Sequence, residues 1–72
     1  MKDDVNILIG KWLREHREAK SITGQQVADA LGVTKTAVSY WESGKRTIYA
    51  WQMMEYCKFI GADPEELVRS IK

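Results

Sequence analysis

Only one of the 72 residues is cysteine, one is proline and one is histidine, and these scarcities remove whole classes of protein. Cys57 alone cannot close an internal disulfide, which points to a reducing cytoplasm rather than a secreted, disulfide-stapled scaffold. One cysteine and one histidine do not assemble a zinc site, so neither a metal nor another cofactor is expected. His16 has no serine, cysteine or carboxylate at a nucleophile–base spacing, and Gly44-Lys45 lacks the preceding glycine and strand of a phosphate-cradling loop. Catalysis and a small-molecule substrate are therefore not expected. No apolar run approaches the roughly 18 residues that span a bilayer, so no membrane partner is expected. The opening Met1-Lys2-Asp3-Asp4 carries acids where an export signal would be apolar. Charge of one sign is missing as well: 11 basic residues face 10 acidic ones, and the net charge of +1 advertises no broad basic field.

What the sequence does have is helical patterning, with no strand-like alternation, repeat or low-complexity stretch. At 8.3 kDa the chain is read as one domain over residues 1–72, and a chain this small buries only about 60% of its unfolded surface. Val5, Leu8, Ile9, Trp12, Leu13 and His16 recur at helical spacing, which predicts a first helix over Val5–Lys20. Thr23 with Gln26 forms a capping box that opens a second helix, ended by Gly32. Thr34 caps a third helix to about Glu42, with Gly44 as its left-handed terminator. Thr47 offers a cap for a fourth helix running to Gly61. Asp63-Pro64-Glu65-Glu66 then starts a short last helix through Ile71, with Asp as cap, Pro at the first position and Glu at the third. The fold class is all-α, a bundle of five short helices.

Between helices two and three the connection is only Gly32-Val33-Thr34. That length with a leading glycine suits a sharp helix crossing rather than an antiparallel hairpin. Such a crossing needs a small residue where the helices touch, and Ala28 stands four residues before Gly32. It also needs apolar residues facing inwards, which Val27, Leu31, Val33, Val38 and Trp41 provide at the right offsets. These positions together read as a helix-turn-helix.

Val27-Ala28-Asp29-Ala30-Leu31-Gly32-Val33-Thr34, followed by Val38-Ser39-Tyr40-Trp41-Glu42-Ser43-Gly44-Lys45-Arg46, closely resembles the Cro/CI-type, lambda-repressor-like helix-turn-helix family. Leu13 to Glu18 looks like that family's first helix, and Gly61 with Asp63 to Leu67 like its closing segment. The resemblance implies a five-helix DNA-binding domain, a regulator working as a homodimer on a double-stranded DNA operator in a bacterial cytoplasm or a phage-infected host cell. It further implies an ion pair between Arg17 and Glu42, joining helices one and three. The family often has Gln at the start of helix two, where this chain has Gly24, which leaves Gln25 to reach phosphate in its place.

With Val38 and Trp41 turned inwards, the outward face of the third helix shows Lys35, Thr36, Ser39 and Tyr40. Lys35 can donate to guanine O6 and N7, and the two hydroxyls can bond base edges. Tyr40 stands where the family commonly has a basic or amide residue; it is placed with the base contacts, with touching phosphate, stacking on sugar and neither as the other readings. Thr23 and Thr34, at helix N-termini, suit phosphate, and Lys45 and Arg46 follow the helix as backbone grips. Cys57 is expected on the inner face of helix four with Ala50, Met53 and Ile60. Trp12 and Trp51 occupy places where the family usually shows polar residues, and Tyr56 and Phe59 flank the same region. If exposed, these aromatics form a protein interface; if helix four is rotated, they are buried. The alternative function is accordingly a modulator or anti-repressor that binds a partner repressor protein through those rings. Dimerisation, in this one-domain reading, falls to the helices themselves.

Overall fold

The computed structural model describes residues 2–71, so Met1 and Lys72 of the expected 1–72 domain lie outside the described residues. The chain forms α1 (Lys2–Ala19), α2 (Gly24–Leu31), α3 (Lys35–Ser43), α4 (Ala50–Ile60) and α5 (Pro64–Ile71), with no strand among the described residues. Helix α1 begins three residues before Val5, because apolar periodicity marks the packed residues and not where backbone hydrogen bonding starts.

The caps follow the side-chain chemistry. Thr23 Oγ1 accepts from the Gln26 amide at 3.1 Å while Gln26 Oε1 accepts from the Thr23 amide at 2.8 Å. Thr34 Oγ1 accepts from the Ala37 amide at 3.1 Å, and Asp63 Oδ1 from the Glu65 amide at 2.9 Å. Thr47 does not cap α4: its Oγ1 accepts from Asn6 Nδ2 at 3.1 Å and ties the α3–α4 loop to α1. Helix α4 starts instead after Tyr49, whose amide donates to Gln52 Oε1 at 3.0 Å.

Packing runs α1 on α3, α4 and α5, α2 on α3 and α4, and α4 on α5. The core joins Leu13 of α1, Val27 and Ala28 of α2, Ala37, Val38 and Trp41 of α3, and Tyr56, Cys57 and Ile60 of α4. Leu31 and Val33 pack at its edge, and Leu67 is the buried residue of α5. Ala50 is exposed, so the inner face of α4 holds Met53, Tyr56, Cys57 and Ile60 without it. One contact escapes pattern reading. α1 meets the end of α3 so closely that a Cβ on Gly10 would collide with the Trp41 carbonyl and stand 2.6 Å from that of Glu42. One turn away, Gly44 holds φ 78° and lies against Ile7, where a Cβ would come within 2.9 Å of the Ile7 Cα.

Candidate nucleic-acid interface

A connection of only Gly32, Val33 and Thr34 joins α2 to α3, and the N-terminal half of α3 presents one face outwards. Ala37, Val38 and Trp41 take the inner face, and Lys35, Thr36, Ser39 and Tyr40 are left exposed on the other. These are one ammonium, two hydroxyls and one phenol on about a turn and a half of helix, able to donate to and accept from base edges.

Tyr40 is also the hub of the loop that follows. Its carbonyl accepts from the amides of Lys45 at 2.9 Å and Arg46 at 3.3 Å. Over its ring stand the Lys45 ammonium, 5.8 Å from the centroid, and the Arg46 guanidinium at 5.3 Å. The ring's negative face attracts both cations and holds them together beside the exposed face of α3.

On the other flank, an open groove of about 270 Å³ runs between α1, the start of α2 and α3. Arg14, Gly24, Lys35, Ser39 and Ser43 line it, with Arg17 and Glu42 at its floor. Arg14 and Ser43 lie within the stretches that carry the resemblance but are not among the expected contacts, and only the fold brings them here. The capping box uses the amides of Thr23 and Gln26, so the α2 donors left without an intrahelical partner are those of Gly24 and Gln25. The Gln25 side chain is directed along its own helix, Nε2 donating to Asp29 Oδ1 at 2.9 Å, rather than outwards from the helix start. Thr23 and Thr34 spend their hydroxyl oxygens as acceptors in caps, and each keeps its hydroxyl hydrogen for an outside acceptor.

Beneath this surface, Arg17 grips Glu42 with two parallel bonds, Nε to Oε2 at 2.8 Å and Nη2 to Oε1 at 3.0 Å. Its third nitrogen, Nη1, donates to the Ile22 carbonyl at 2.7 Å. The hydrogen bond to Glu42 holds the Arg17 pKa above its ordinary value, against the opposing effect of burial. With side-chain exposures of 12% and 9%, the two charges lie largely out of water, where removing one partner costs about 3 kcal/mol.

The four aromatics do not form one surface. Tyr56 is 0% exposed and donates its hydroxyl to Glu42 Oε2, which corrects its expected interface role: α4 is phased to put Tyr56, Cys57 and Ile60 inwards. Trp12 is half-buried, stacked on His16 with ring centroids 3.7 Å apart, while His16 Nδ1–H donates to the Trp12 carbonyl at 2.9 Å. It borders a groove between α1 and α5. Trp51, 65% exposed, and Phe59, 43% exposed, border grooves between α2 and α4 on another part of the surface.

Two helices joined by a three-residue turn, the second presented to solvent and flanked by cations, form the arrangement of a DNA-binding helix-turn-helix, in keeping with the resemblance to the Cro/CI type. Residues 8–69 match the model of the helix-turn-helix domain family, and the chain belongs to that family. Among solved structures, it is similar to the clp gene regulator ClgR from Corynebacterium glutamicum, with a TM-score of 0.86 at 22% identity over 93% of this chain and 87% of that one. It is also similar to the restriction-modification controller protein C.AhdI from Aeromonas hydrophila, with a TM-score of 0.80 at 26% identity over 89% and 96% of the two chains. No curated protein matches it in sequence. No helix among the described residues is long and apolar enough to cross a membrane.

Proposed function

We propose that this chain is a sequence-specific transcriptional regulator of Cro type that enters the DNA major groove with α3. The observation that carries this reading is the exposed Lys35, Thr36, Ser39 and Tyr40 face with cations on both flanks, Lys45 and Arg46 on one and Arg14 on the other. In it, Lys35, Thr36, Ser39 and Tyr40 meet base edges. The backbone is held by Lys45, Arg46, the Thr23 and Thr34 hydroxyls, the free amides at the start of α2 and, once swung out from Asp29, Gln25. Two copies would bind half-sites about one helical turn apart, and promoter occupancy in a bacterial or phage-infected cytoplasm would repress transcription without any catalytic step. The likeness to a clp gene regulator and to a restriction-modification controller supports a regulatory role of this kind.

A second reading rests on a different observation. Trp51, Met54 and Phe59 are exposed along one side of α4, by grooves that Leu31 and Val33 also line. Large exposed aromatics anchor protein interfaces, and the net charge of +1 limits non-specific attraction to DNA, so a modulator that docks on a partner repressor accounts for this face. Selection of bound duplexes from a random pool at physiological salt separates the two. Enrichment of a two-fold symmetric site supports the dimeric operator binder; a folded protein that enriches nothing supports the modulator.

A further inference from the structure

We propose that Tyr56, on α4, is a positioning residue for the recognition helix: its hydroxyl holds the Glu42 carboxylate in place and so sets the angle at which α3 is presented. Three donors converge on that carboxylate. Two come from Arg17 on α1, at 2.8 and 3.0 Å, and the third from Tyr56. Two parallel bonds from one guanidinium, itself held to the Ile22 carbonyl through Nη1, keep the carboxylate coplanar with it and tie it to α1. A donor from a different helix fixes the same carboxylate from a second direction, against α4. Tyr56 suits the task because its ring is locked in the core at 0% exposure, beside Cys57 and Ile60 of the same helix.

The topology makes this link consequential. Among the described residues, the backbone of α4 packs on α1, α2 and α5 and not on α3. The phenol is thus a direct polar tie from α4 to the helix that carries Lys35, Thr36, Ser39 and Tyr40. Through Arg17 Nη1 the same network takes in the Ile22 carbonyl, just before α2. One carboxylate therefore joins α1, the lead into α2, α3 and α4. Phenylalanine would fill the same volume, so volume is not what the hydroxyl contributes. Burial, reinforced by the Glu42 charge, drives the Tyr56 pKa upwards, so the phenol keeps its proton and remains a donor through the physiological range.

The test is Tyr56→Phe in the whole chain, read in three ways, the first of which rests on the DNA-binding reading above. Affinity for an enriched duplex is expected to fall roughly tenfold, the lower end of what a hydrogen bond to a charged group contributes, while binding to random duplex stays within twofold. In a Glu42→Gln background the same substitution is expected to change affinity less than twofold, because the hydroxyl acts through that carboxylate. Amide hydrogen exchange in α3 is expected to speed up severalfold while that of α2 does not. Unchanged affinity together with unchanged α3 exchange overturns the proposal, as does an equal loss in the Glu42→Gln background. Should the wild type enrich no duplex, the DNA-binding reading falls, and α3 exchange alone decides on Tyr56. Should Tyr56→Phe not fold, the wild type decides: a slowly exchanging Tyr56 hydroxyl proton with a cross-peak to α3 supports the tie, and its absence overturns it.

Discussion

Gly10 of α1 lies against the backbone of Glu42 so closely that a Cβ would stand 2.6 Å from the Glu42 carbonyl oxygen. The contact sets how near α1 comes to the last turn of α3, and with it the reach of Arg17 to Glu42. Alanine would raise helix propensity by about 1 kcal/mol at this mid-helix position. It would also force two backbones apart, a harsher change than side-chain overpacking, which itself costs about 1–3 kcal/mol. Gly10→Ala is therefore expected to lower stability by about 2 kcal/mol, measured by urea unfolding; a higher midpoint would show that α1 can slide freely on α3.

Lys35→Ala and Thr36→Ala test the reading face. Both side chains are exposed and outside the core, so each variant should unfold at a urea concentration close to that of the wild type. Each is expected to weaken binding to the selected duplex by about 1–3 kcal/mol, in equilibrium titrations at fixed salt. Unchanged binding in both would remove the N-terminal half of α3 from the interface.

Tyr40 separates two roles within one side chain. If its ring gathers Lys45 and Arg46 for the phosphate backbone, Tyr40→Phe keeps that function and Tyr40→Ala loses it. Two exposed cation–π contacts at roughly 0.5–1 kcal/mol each give an expected loss of about 1 kcal/mol for the alanine variant, seen on random as well as selected duplex. A phenylalanine variant as weak as the alanine one, on selected duplex only, would assign the work to the phenol hydroxyl at a base edge instead.

The helix boundaries were readable in sequence wherever a specific side chain satisfies a specific backbone group. Thr23 with Gln26, Thr34, Gly44 and Asp63-Pro64 mark their termini because capping is local chemistry. The Arg17–Glu42 pairing came from family resemblance, since nothing in a 25-residue separation announces a contact. Helix α4 shows where pattern reading stops. Periodicity places Met53, Cys57 and Ile60 inwards, but apolar residues lie nearly all round the helix, Ala50, Trp51, Met54, Tyr56 and Phe59 included, so it leaves the edges of that inner face undecided. Packing against α1, α2 and α5 chooses, sending Tyr56 in and leaving Trp51 and Phe59 out. Gly10 was invisible for a related reason: a glycine within a helical pattern carries no sign of what its missing side chain admits. The groove lined by Arg14 and Ser43 likewise exists only once α1 and α3 are packed.

Cys57 gives the protein a defined alkaline weakness. Burial first, and the nearby Asp63 charge second, push its thiol from the ordinary 9.0 up to about 11. Between those values the unfolded chain has released a proton that the folded chain keeps, so stability falls as pH rises through that window and is whole below it. Tyr56, also raised above its ordinary value, adds to the fall in the same direction. Urea midpoints from pH 7 to 11 are therefore expected to decline from about pH 9 in the wild type. In Cys57→Ala the decline should be shallower without vanishing, because the tyrosine's share remains, whatever the substitution costs at neutral pH. An identical slope in the two proteins would mean that the thiol ionises as readily folded as unfolded. That conclusion would in turn require native Cys57 to react with iodoacetamide at pH 8 as fast as an unfolded thiol, whereas a 0% exposed thiol should react only as fast as the bundle opens.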